Sequence, residues 1–326
     1  MLFNWHIDAW VAIARTRGRL PHALLLAGKP GLGKSALAQA FAQSLLCTSP
    51  KANGLACGNC SSCGWFSLGN HPDFRLVQPD SLAPETEEET KKKKSDQIRI
   101  EQIRNLETLL GVGTHRGGLR IIVIDPADSM NTVTQNALLK SLEEPPPATL
   151  FMLVSSHLQR LLATIRSRCQ LVEISSPPAE VAIAWLEKQG VSAPAEALAA
   201  AAGAPLAALG ESEWEKPRHE FLNQLQEPVF DPIRVADMCN ALEPALVVNW
   251  LQRWVYDLLQ VHLSGTVRYH PNLQKQMHRI AAQANATDLS GLLRRLAEAR
   301  KLASHPLNPK LFFENILLEY RRVVRT

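Results

Sequence analysis

Short apolar runs alternate with amphipathic stretches of helix length from residue 22 to residue 174, and beyond that point only the helical pattern continues. The apolar runs are 22–27, 74–77, 119–124, 149–156 and 170–174. All but the first two are rich in β-branched residues, and all have the length of buried strands. Between them, 35–46, 98–110 and 131–144 repeat apolar residues at helical spacing, the last stopped by Pro145, Pro146 and Pro147. Strands alternating with helices in this way predict a parallel α/β sheet. Ahead of it, Trp5, Ile7, Trp10, Val11, Ile13 and Ala14 form a helical stripe expected to lean on the sheet.

The second half reads as helices throughout. Residues 178–209 are rich in Ala, a Glu211-to-Pro217 linker follows, and Phe221, Val247, Trp250, Trp254, Leu258 and Leu311 to Tyr320 belong to long amphipathic helices. A chain of 326 residues exceeds one ordinary core. The expected organisation is an α/β domain over 1–176, a small helical domain over 177–210 and an all-α domain over 211–326.

Composition narrows the class without deciding it. Apolar residues make up 46% of the chain and the formal net charge is +4, so cores are affordable and no global basic field announces nucleic acid. The acidic block Glu85 to Glu89 runs into Lys91 to Lys94, a pattern expected of a solvated loop in preference to a basic DNA-binding patch. No apolar run is long enough to span a membrane, and the first residues lack the features of a secretion signal, so a cytoplasmic protein is expected.

Two motifs carry chemistry. Gly28 to Ser35 reads G-K-P-G-L-G-K-S, the phosphate-loop pattern, between a strand and a helix. There Gly28, Gly31 and Gly33 let backbone N–H groups curl around a phosphate, Lys34 meets its outer oxygens and Ser35 ligates magnesium, which makes ATP with Mg2+ the expected ligand. Asp125, at the carboxyl end of the 119–124 strand, is placed to hold that magnesium directly or through water. The second motif is Cys47 followed by Cys57-x-x-Cys60-x-x-Cys63, four of the chain's six cysteines. A four-thiolate shell is closed, so the expected metal is a structural zinc organising a module at about 47–70. An iron–sulfur cluster could use similar spacing, and His71 is a weaker alternative to Cys47.

Asn136 to Pro146 (N-A-L-L-K-S-L-E-E-P-P) and Ile165 to Cys169 (I-R-S-R-C) add a resemblance. With the cysteine module, these residues resemble the clamp-loader branch of the AAA+ ATPases, and within it the delta-prime type of the bacterial DNA polymerase III complex. The resemblance covers roughly residues 20 to 210. It implies an AAA+ phosphate-loop domain with a zinc module, then a helical lid and a helical collar. It also implies a subunit of the polymerase holoenzyme without catalytic activity of its own. Arg168 would be an arginine finger reaching in trans to the ATP of a neighbouring subunit. Partners would be gamma or tau motor subunits and delta in a five-membered ring, acting on the sliding clamp and primed DNA.

The chain also departs from hydrolysing relatives of that branch. Pro126 stands where they place a water-activating glutamate, with Asp128 an imperfect substitute, and Leu206 stands where they place a phosphate-sensing arginine. Binding with poor or absent hydrolysis is the resulting expectation. A self-sufficient motor ATPase and a zinc-dependent DNA-binding protein are the competing readings.

Overall fold

A computed structural model describes residues 2–83, 95–110, 118–227, 229–303 and 307–324. It divides into two compact units, Met1–Ser176 and Pro177–Thr326. The charged loop with Lys91 to Lys94 lies outside the described residues.

The first unit contains α1 (Ile7–Ala14), β1 (Ala23–Ala27), α2 (Lys34–Leu46), α3 (Ser61–Ser67), β2 (Phe74–Val77) and α4 (Ile100–Leu110). It continues with β3 (Arg120–Ile124), α5 (Thr132–Glu143), β4 (Thr149–Ser155), α6 (Ala163–Arg166) and β5 (Gln170–Glu173). All five strands are parallel, in the order β2-β3-β4-β1-β5. Helices cover the central strands, so β1, β3 and β4 are buried along their whole length and read as continuous apolar runs. Because β1 lies between β4 and β5, which come much later in the chain, its carboxyl end opens into a crevice, the usual place for a ligand in such a sheet. Asn131 caps α5, its side chain accepting from the Thr134 N–H at 2.9 Å. The parallel phosphate-loop sheet and the helical second half are as the residue pattern predicts.

The second unit is helical: α7 (Ala179–Lys188), α8 (Pro194–Ala200), α9 (Pro205–Ser212), α10 (Glu215–Gln226) and α11 (Pro232–Cys239), then α12 (Pro244–Ser264), α13 (Gln274–Ala281), α14 (Ala286–Leu302) and α15 (Pro309–Val324). One core cluster gathers Ala182, Leu186, Ala197, Leu198, Ala201 and Ala208. A larger one is built around Phe221, Trp250, Trp254, Phe313 and Tyr320, where the Trp254 indole N–H donates to the Tyr320 hydroxyl at 2.9 Å. The expected linker at 211–217 is largely helical, because α9 runs to Ser212 and α10 begins at Glu215. Pro217 is the third residue of α10, where a helix has no carbonyl partner for an amide, so the proline costs nothing there.

Candidate nucleotide and metal sites

The phosphate loop leaves the end of β1 and closes into the first turn of α2. Gly31 and Gly33 both have φ of +77°, a left-handed conformation that side chains resist. At Gly28 the limit is space, since a Cβ there would lie 2.4 Å from the Ile174 carbonyl oxygen at the end of β5. The apex residue Leu32 is buried, and its carbonyl oxygen accepts from the Trp5 indole Nε1 at 2.9 Å and pairs with His6 Nε2 at 2.7 Å. Phe3 stacks on Trp5, 4.7 Å between ring centres, and its ring lies over Gly33. The aromatic residues before α1 therefore pack on the loop itself, where the sequence predicts general core packing.

Lys34 is buried, and its Nζ donates to the Lys29 carbonyl oxygen at 2.7 Å and to Ser156 Oγ at 2.9 Å. Burial lowers its pKa, opposed by the attraction of Asp128 and Asp125. Asp125 follows β3 and is buried, which raises its pKa against the opposing hydrogen bond with Ser35 and the nearby Lys34 charge. The structure thus brings Lys34, Ser35 and Asp125 together at the carboxyl edge of the sheet. Beside them a cleft of about 500 Å³ is lined by Gly28, Lys29, Leu32, Ser156, Glu173 and Ser176, a size suited to a nucleotide-sized ligand.

Asp128 lies in a short turn after Pro126. Its Oδ1 accepts the Ser156 N–H at 2.9 Å and its Oδ2 pairs with His157 Nδ1 at 2.9 Å. Burial pushes its carboxyl up, but the bonds from His157, Ser156 and Ser155 outweigh this and hold it below the usual range. Ser156 and His157 were not among the residues singled out from sequence. The available signal is the polar Ser155-Ser156-His157 ending of an otherwise apolar strand.

Arg168 stands apart from this group, after the short helix α6. Its Nη2 lies 2.7 Å from Glu143 Oε1 at the end of α5, and its Nη1 donates to the Thr164 carbonyl oxygen at 3.0 Å. About a third of the side chain is exposed. Leu206 belongs to α9 in the second unit.

The four cysteines meet as their spacing implies. The sulfurs of Cys47, Cys57, Cys60 and Cys63 all lie within 4.8 Å of one another. Cys47 and Cys60 are 3.9 Å apart, as are Cys57 and Cys63. A tetrahedral zinc with bonds near 2.3 Å needs sulfur edges of about 3.8 Å, whereas a disulfide needs about 2.05 Å. The backbone supports the same assignment: the N–H of Cys57 donates to Cys47 Sγ at 3.3 Å, that of Cys60 to Cys57 Sγ at 3.4 Å and that of Cys63 to Cys60 Sγ at 3.4 Å. Such donors fit thiolates, and the set fits a structural zinc. His71 takes no place in it, being held by Ser62 Oγ at 2.9 Å and by the Asp73 N–H at 3.1 Å. Cys169 stands outside it too, half-buried, with its thiol pushed up to about 12 by burial.

The described residues contain no helix long and apolar enough to cross a membrane. Residues 7–178 match the family described as DNA polymerase III, delta subunit, and residues 212–322 match its C-terminal family. The DNA polymerase III subunit delta' of Pseudomonas aeruginosa is 34% identical, covering 81% of this chain and 79% of that protein. That of Escherichia coli K12 is 32% identical over 86% of this chain and 77% of its own length. That of Yersinia pestis is 30% identical over 95% and 92%. On these matches, which span both units, the chain belongs to the DNA polymerase III delta-prime family.

Proposed function

We propose that the chain serves as a non-motor subunit of the DNA polymerase III clamp loader. In this reading it binds ATP with Mg2+ without turning it over, and it lends Arg168 in trans to a neighbouring ATPase subunit. Gly28, Gly31, Gly33, Lys34 and Ser35 would cradle the phosphates and Asp125 would hold the magnesium. Cys47, Cys57, Cys60 and Cys63 would hold a structural zinc that orders the residues around them. The helical residues 177–210 and 211–326 would act as lid and collar, joining gamma or tau and delta in a cytoplasmic ring that places the sliding clamp on primed DNA.

The observation that carries this reading is the commitment of Asp128. Pro126 cannot activate water, and Asp128, the nearby carboxylate that could replace a glutamate, already has both oxygens bound to Ser156 and His157. A carboxylate whose two oxygens each already accept a hydrogen bond, and whose pKa is held low, is a weaker base toward a water proton. Arg168 by contrast presents a permanently charged planar fork at the surface.

The test is the complex reconstituted with the partner subunits. Arg168→Ala should leave assembly intact and lower the ATPase rate at the neighbouring site by about a thousand-fold, with a correspondingly depressed total rate. An unchanged rate refutes the finger. The motor-subunit reading is favoured by the intact Lys34 and Ser35, and appreciable steady-state turnover by the isolated chain would establish it instead.

A further inference from the structure

We infer that Glu143 is a positioning residue for Arg168, fixing the guanidinium before a neighbouring nucleotide meets it. The inference rests on the reading of Arg168 as the finger. Glu143 is the last residue of α5, and a carboxylate at a helix carboxyl terminus opposes the helix dipole. A residue placed against a local rule calls for a compensating contact, and here Arg168 supplies it at 2.7 Å. The chain also fixes the arginine from its own side. The Arg168 N–H donates to the Ile165 carbonyl oxygen at 3.1 Å, and Nη1 reaches the Thr164 carbonyl oxygen at 3.0 Å. Two terminal nitrogens are thus tied to two different helices, α5 and α6.

A free arginine side chain samples many rotamers, and freezing them at the moment of reaction slows it. Two anchors narrow that search in advance. They also leave N–H groups of the guanidinium for a phosphate, since an arginine has five and these contacts need only two. The pair is partly exposed, 34% for Arg168 and 48% for Glu143, so it is screened and weak, and it orients the arginine without withholding it from a phosphate.

The experiment uses the reconstituted complex with Glu143→Ala, Glu143→Gln, Arg168→Ala and the double variant Glu143→Ala/Arg168→Ala, each checked for folding by thermal melting. Expected for Glu143→Ala is a kcat about three- to ten-fold lower with KM for ATP little changed. Glu143→Gln, which keeps an acceptor oxygen, should recover more than half of the rate. The double variant should be no slower than Arg168→Ala alone. A kcat for Glu143→Ala equal to or above wild type, while Arg168→Ala is impaired, overturns the positioning role and leaves the finger standing. A further loss in the double variant also overturns it, because Glu143 would then act elsewhere. If Arg168→Ala itself is without effect, the finger reading falls and this inference falls with it.

Discussion

The indole N–H of Trp5 and the ring Nε2 of His6 converge on a single acceptor, the carbonyl oxygen of Leu32 at the apex of the phosphate loop. The segment before α1 is thereby fastened to the loop on which the proposed nucleotide site is built.

This fastening makes loop order depend on pH. Burial lowers the His6 pKa from its ordinary value of 6.5, with the Leu32 bond only partly opposing. The folded state therefore binds the His6 proton less readily than the unfolded chain does. Its contribution to stability is complete above 6.5 and is lost as the pH falls below that value. Protection of the amides of Leu32 to Lys34, taken relative to the intrinsic exchange rate at each pH, should fall on acidification below that point. His6→Gln, which keeps a donor but does not titrate, should flatten this dependence; an identical pH profile in the variant would exclude His6 as its source.

Metal removal should act locally. Chelation is expected to release about one zinc per chain and expose four reactive thiols at Cys47, Cys57, Cys60 and Cys63, with the circular dichroism of the sheet largely kept. Metal analysis and thiol titration on the same sample check this. Purified chain with four reactive thiols and no metal would contradict the assignment.

The glycines of the phosphate loop should not be equivalent. At Gly33 an alanine would meet the Phe3 ring at 2.7 Å in a left-handed backbone, yet the obstacle is a side chain, which can shift more readily than backbone. Gly33→Ala should then cost about 1–2 kcal/mol. At Gly28 the obstacle is the Ile174 backbone oxygen at 2.4 Å, which belongs to the sheet edge and cannot yield cheaply. Gly28→Ala should be the more destabilising of the two by thermal melting, and the reverse order would refute the packing argument.

Much of this was legible in the residues. The strands at Ala23–Ala27 and Thr149–Ser155 follow from apolar runs, because a strand buried on both faces has few polar positions to blur it. The cysteine set follows from spacing, since thiolates two residues apart in one knuckle can point only at a shared centre. Contacts between distant segments were not legible. Nothing in the order of residues tells that Asp128 is taken up by Ser156 and His157, or that Arg168 meets Glu143, because these pairings depend on how turns at the ends of different elements fall beside one another. Pro217 misled for a related reason: a proline signals a break, but one in the first turn of a helix is compatible with it.

The helix α2 begins at Lys34 in the phosphate loop and ends at Leu46, one residue before Cys47. At 1.5 Å per residue its thirteen residues make a strut about 20 Å long, with an anion-seeking terminus at one end and a sulfur cluster at the other. Arg17 braces the far end by donating to Ser44 Oγ at 2.6 Å and to the Gly54 carbonyl oxygen at 2.5 Å, which ties the cysteine module to the strut. Fraying at the sulfur end would have to travel through three helical turns before it disturbed Lys34. The helix can therefore serve as a spacer that keeps the cysteine cluster and the phosphate loop at a fixed separation while letting order at either end be lost without the other.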